Sequence, residues 1–242
     1  MLVKFCILCI LLYAHQSFAQ TDSPRFFLGV GGGITENYNT GVFMQSNADG
    51  LGTANGSAIG GSFGVNSEYR LNDAGTSSLL CNINYESKPG KTTWNLPPAT
   101  LTDSSMNQQG SININSYVQS TYDLLNVELL YKGVFPNIAG LGFRIGPKLG
   151  FVTNTHYDEY VQLLNPNAVF LPSYSQTLVL ADSLIPQAHK FRLGLVFGVQ
   201  YDIPYGAFII SPVITYDSGI TSVSESWYVN SVAATVELKY GL

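Results

Sequence analysis

Few residues in this chain carry the chemistry of a catalytic or metal site. The most suggestive run is His156-Tyr157-Asp158-Glu159, a histidine followed by two carboxylates. Such a run suits general acid–base work or weak metal ligation, and a hydrolytic role would need a serine brought to it by the fold. In a polar connecting segment, a solvated loop accounts for it more simply. Gly60-Gly61-Ser62-Phe63-Gly64 matches G-x-S-x-G, a pattern that makes a nucleophile only at a strained strand-to-helix elbow. Here it lies inside an alternating segment, in mid-strand. Gly31-Gly32-Gly33 is followed by no helix whose amides would hold a phosphate. Cys6 and Cys9 lie near the N-terminus, which leaves Cys81 without a disulfide partner or a cysteine-based zinc site. The sequence therefore predicts no catalytic residue, no metal ligand, no cofactor and no enzymatic activity.

The remaining polar chemistry is a set of charges: Glu68, Glu128, Lys132, Arg144, Lys148, Arg192, Glu237 and Lys239. Their neighbours two residues away are often glycines, as Gly142 and Gly146 flank Arg144. What these charges do depends on the elements that carry them.

Composition narrows those elements. The chain has 242 residues, of which 11% are charged, less than half the roughly 25% of an ordinary soluble domain. Its formal net charge is −5, which argues against nucleic-acid binding. The mean hydropathy is +0.14, yet no apolar run beyond the N-terminus reaches the ~18 residues of a spanning helix. A charge-poor chain rich in glycine and aromatics, without such a helix, has one membrane architecture left, the β-barrel. Met1 to Ala19 reads as a signal peptide: Lys4 is basic, Phe5 to Tyr13 is apolar, and Ser17-Phe18-Ala19 offers small residues for cleavage. Residues 20–242 are then a single exported domain.

Period-two alternation marks eight strands, near 25–35, 58–70, 78–87, 121–134, 140–153, 190–202, 207–217 and 228–240. In the fifth, Leu141, Phe143, Ile145, Leu149 and Phe151 alternate with Gly142, Arg144, Gly146, Lys148 and Gly150. Connections alternate short and long. Those at 72–77, 135–139 and 203–206 are short, while 36–57, 88–120, 154–189 and 218–227 are long. This order predicts an eight-stranded antiparallel up-and-down transmembrane β-barrel with periplasmic turns and long outer loops. Glycine on the polar face fits the crowded inside of a narrow barrel. The apolar face carries aromatics at both ends. Tyr69, Tyr131, Phe143, Tyr201, Phe208 and Tyr240 mark the turn end, and Tyr85, Phe151, Phe191, Tyr216 and Tyr228 the loop end. From Phe191 to Tyr201, at ~3.3 Å per residue and ~40° tilt, the girdles lie about 25 Å apart, the height of a barrel's lipid-facing band. Pro147 and Pro212 fall within strands, where each predicts a lost ladder bond or a bulge.

On this reading the eight charges face inward and interleave as a polar plug, with Glu128 opposite Arg144 or Lys148 according to register. A charged conduction path is the alternative. The 154–189 connection is rich in apolar residues, among them Val161, Leu163, Leu178, Val179 and Leu180. It is expected to fold over the mouth or to dock a protein partner.

Three local features resemble the outer-membrane β-barrel family of Bacteroidetes that includes the PorT-like proteins. They are Ser17-Phe18-Ala19-Gln20, Arg144-Ile145-Gly146-Pro147, and Ile214 to Ile220, where Tyr216, Gly219 and Ile220 match the family pattern. The chain departs from the usual aromatic ending of such barrels by closing on Tyr240-Gly241-Leu242. The resemblance implies residence in the outer membrane, contact with its lipid, and a structural or loop-mediated binding role, with service beside a secretion apparatus as one option. A lipid-acting enzyme sited in the loops and a narrow channel are the competing functions.

Overall fold

The computed structural model describes residues 24–41, 55–102, 108–165, 168–170, 173–185, 187–224 and 227–242, with backbone alone for 94–102, 108 and 109. The expectation of a signal peptide at Met1–Ala19 falls outside the described residues. Among the described residues eleven strands form: β1 (Phe26–Thr40), β2 (Gly56–Arg70), β3 (Ser77–Ser87), β4 (Gly90–Thr102), β5 (Gln108–Val134), β6 (Leu141–Leu163), β7 (Thr177–Ser183), β8 (Phe191–Tyr201), β9 (Ile203–Tyr205), β10 (Phe208–Gly219) and β11 (Tyr228–Gly241).

Eight of them close a ring. β1 pairs with β2, then β3, β5, β6, β8, β10 and β11 follow in order, and β11 returns to β1. Every pairing is antiparallel, so the protein is an eight-stranded antiparallel up-and-down barrel. The seam between first and last strands runs from Phe27↔Gly241 to Thr40↔Tyr228, and the Leu242 amide donates to the Phe26 carbonyl at 2.9 Å. Closure leaves the ring without an open edge.

Alternation decides which side chains face out. Val30, Ile34, Ile59, Phe63, Leu129, Val199, Ile214 and Val236 are exposed on the outside. Their strand neighbours Asn66, Glu128, Gln200 and Glu237 are buried inside. The outside is thus apolar and the inside polar, the arrangement of a barrel that spans a membrane. Both prolines face outward and interrupt pairing without shifting it. The β5–β6 ladder passes from Glu128↔Lys148 to Tyr131↔Ile145, with no pair formed at Gly146 and Pro147. On β10, Val213 pairs with Gln200 and Ile210 with Ile203, so Pro212 separates β8 from β9. A proline has no N–H to give the ladder.

Two of the long connections are more ordered than the sequence predicts. The 88–120 and 154–189 segments contain β4, β7 and the upper halves of β5 and β6. Together β4-β5-β6-β7 make a four-stranded blade that continues two barrel strands beyond the ring. At the join, Asp123 pairs with Asn154 and Leu124 with Val152, which leaves Thr153 as an extra residue on β6. A bulge of one residue reverses the alternation. Below it even-numbered β6 residues such as Lys148 point inward. Above it the odd-numbered Tyr157, Val161 and Leu163 are buried.

Candidate functional site

All eight charges singled out from the sequence lie in the barrel interior and are buried. They join further groups in three tiers stacked along the axis.

The tier nearest the short turns holds Lys132 and Lys239 against Glu68 and Asp202. Lys132 Nζ donates to Glu68 Oε1 at 2.6 Å and Lys239 Nζ to Glu68 Oε2 at 2.8 Å. Both lysines also meet Asp202, which follows the inward Arg192 and Gln200 in the alternation of β8. In the middle tier Arg144 reaches Glu237 through Nη1–Oε1 at 2.7 Å and Nη2–Oε2 at 3.1 Å. Gln200 Oε1 accepts two further bonds from the same guanidinium. In the upper tier Arg192 grips Asp217 with two bonds of 2.9 and 3.0 Å. Lys148 meets Glu86 at 2.6 Å, Asp217 at 3.1 Å and Glu128 at 3.3 Å, and Lys88 meets Glu86 at 2.8 Å.

Each tier is neutral: two cations face two anions, then one faces one, then three face three. A buried charge costs several kcal/mol unless it is paired and hydrogen-bonded, and this balance meets that demand level by level. Register places Glu128 opposite Lys148, while Arg144 takes its counter-charge from β11. Glu86, Lys88, Asp202 and Asp217 are the members that sequence reasoning missed. Each continues the inward alternation of its own segment, Glu86 and Lys88 after Asn82, Asp202 after Gln200 and Asp217 after Val213, so the alternation itself could have named them. Between the middle and upper tiers a cavity of about 70 Å³ remains, lined by Asn66, Asn82, Glu128, Arg144 and Glu237 among others. That is space for about two waters.

Glycine makes room for these long side chains. A Cβ on Gly194 would lie 2.6 Å from Asp217 Oδ1 and 3.1 Å from Arg192 Nη1. Above the upper tier lies an apolar cap. Val118, Tyr122 and Leu124 of β5, Tyr157 of β6 and Val229 of β11 pack with Ile185, Val223 and Trp227 from the connecting segments. Ile185 comes from the 154–189 connection, so part of that segment packs into this cluster. Leu178, Val179 and Leu180 instead stand exposed on β7.

The girdle aromatics lie on the outer face. Tyr69, Tyr131, Phe143, Tyr201, Phe208 and Tyr240 ring the turn end, and Phe151, Phe191, Tyr216 and Tyr228 the loop end; all are exposed. Tyr85 is half-buried and packs on Phe63, ring centres 5.5 Å apart. Phe151 with Phe191 at 5.4 Å and Phe208 with Tyr240 at 5.2 Å join neighbouring strands within each girdle.

Among the described residues, His156 meets carboxylates and not a serine. Its Nε2 lies 3.2 Å from Asp158 Oδ1 and 3.3 Å from Asp182 Oδ1. His189 Nδ1 lies 3.5 Å from Ser222 Oγ, but its closer partner is the Ser222 carbonyl. Among the described residues, neither histidine is shown with both a hydroxyl and a carboxylate within reach. Ser62 lies in mid-β2 opposite Gly33, not at an elbow.

No protein-family model matches the chain, and no curated protein matches it in sequence. Among solved structures it is similar to Neisserial surface protein A, with 15% identity over 91% of this chain and 99% of that one, at a TM-score of 0.37. It is similar to Ail, the attachment invasion locus protein of Yersinia pestis, with 8% identity over 89% and 99% and a TM-score of 0.32. The outer membrane protease OmpT from Escherichia coli also aligns, with 7% identity over 93% and 99% and a TM-score of 0.33. No activity follows from likenesses of this degree.

Proposed function

We propose that the protein is an integral outer-membrane barrel with a sealed lumen, and that it acts as a structural or binding platform without enzymatic activity. The observation that carries this reading is the stack of three neutral tiers under an apolar cap. Charges that satisfy one another across the lumen among the described residues support a wall held together from inside. The exposed apolar band and its aromatic rings suit contact with membrane lipid. Export by the Met1–Ala19 signal belongs to the same proposal.

Binding falls to the blade. β7 ends the pairing order among the described residues, so one side of it has no strand neighbour there, and its Leu178, Val179 and Leu180 are exposed. An edge strand of this kind accepts a strand from a partner protein. The resemblance to PorT-like barrels supplies a partner class, a component of a secretion apparatus. Reconstitution of the purified protein into planar lipid bilayers tests the sealed lumen. The expected result is no ion current, and a stable single-channel conductance would replace the platform with a channel.

A further inference from the structure

We propose that His156, Asp158 and Asp182 form a binding site for a divalent transition-metal ion, of which Zn²⁺ is the natural probe, on the outer face of the blade. Asp158 and Asp182 are directly opposed across the β6–β7 ladder, and His156 lies two residues before Asp158 on the same strand and face. One ligand atom from each side chain lies within 4.8 Å of the others. Like charges placed directly opposite on paired strands destabilise the pair. Among the described residues, no lysine or arginine forms an ion pair with either carboxylate. A cation held between them removes that repulsion.

The donor set selects the class of ion. One imidazole nitrogen with two carboxylate oxygens suits Zn²⁺ and its first-row neighbours. Ca²⁺ and Mg²⁺ favour oxygen-only ligand sets. The side chains are 38%, 42% and 72% exposed, so water has access to the remaining coordination positions. The site exists only because of two features of the fold. The bulge at Thr153 turns His156 and Asp158 to the outer face, and β7 brings Asp182 from a distant part of the chain. A bound ion clips the edge strand β7 to β6. This goes beyond the platform reading and does not depend on whether the lumen conducts.

The test uses the full chain without a histidine tag, refolded in detergent and titrated with ZnCl₂ by calorimetry near neutral pH. One saturable site is expected. His156→Ala and Asp182→Asn should each weaken it by at least the ~10-fold that losing even an outer partner of a metal ligand costs. Glu159→Gln, a carboxylate on the opposite face of β6, should bind as the parent does. Circular dichroism of each variant confirms that the barrel has formed. Absence of saturable Zn²⁺ binding, equal binding by His156→Ala, or tighter binding of Ca²⁺ than of Zn²⁺ would each overturn the proposal.

Discussion

Arg144 on β6 and Glu237 on β11 are bound side to side by two hydrogen bonds of 2.7 and 3.1 Å, although β8 and β10 stand between their strands. The pair spans the lumen as a strut. Removing one partner of such a buried pair costs ~3–5 kcal/mol, because the other charge is left uncompensated. Arg144→Met should therefore destabilise the barrel by about that amount. Adding Glu237→Gln should recover part of the loss. Urea unfolding of the two single variants and the double variant in detergent gives the coupling. If Arg144→Met keeps full stability and alters ion selectivity in a bilayer, the lumen is a pore.

Gly194 tests how tightly the upper tier is packed. A valine there would drive methyl groups against Asp217 Oδ1 and the Arg192 guanidinium, and overpacking of this kind costs ~1–3 kcal/mol. Gly61 faces outward, and the nearest atom to a Cβ there is 3.6 Å away. Gly61→Ala should be nearly neutral by the same unfolding measurement. Equal effects at the two positions would reverse the assignment of inner and outer faces.

Leu195 lies on the outer face of β8, between the girdle residues Phe191 and Tyr201. Leu195→Arg should weaken the folded, lipid-inserted state by ~2–4 kcal/mol if the position sits near the bilayer centre. Leu184→Arg, at a side chain 67% exposed in a connecting segment, should leave it unchanged. Folding into vesicles, followed by gel mobility before and after heating, reports both.

Trp227 is 1% exposed at the heart of the apolar cap. Trp227→Ala should cost ~3–5 kcal/mol, as loss of a large buried aromatic does. It should not open a current, because the three charge tiers below remain closed. A conducting Trp227→Ala barrel would show that the cap alone is the seal.

Orientation can be read by labelling intact cells with an impermeant maleimide in a Cys81→Ala background. Tyr174→Cys, on the long-connection side and 76% exposed, should react. Asp73→Cys, in the turn between β2 and β3, should not. Reaction at Asp73 alone would invert the barrel in the membrane.

The sequence by itself determined the ring and its two faces. Period-two alternation is a local property of each strand, so the eight barrel segments and the inward charges Glu68, Arg144, Arg192 and Lys239 can be named from neighbours a few residues away. It also located both breaks in pairing, since Pro147 and Pro212 lack the donor wherever they fall. Tertiary structure alone decided who meets whom. Arg144 takes Glu237 from a strand 93 positions along the chain because closing the ring sets the two opposite each other, and no local pattern encodes that distance. Glu86, Lys88, Asp202 and Asp217 continue the inward alternation of their own segments, but only the closed ring shows which opposite charges they meet. The blade is the fullest case. One extra residue at Thr153 reverses the faces of β6, and only pairing with β7 brings Asp182 to His156. A bulge and an added strand depend on partners across the sheet, and those partners exist only once the chain has folded.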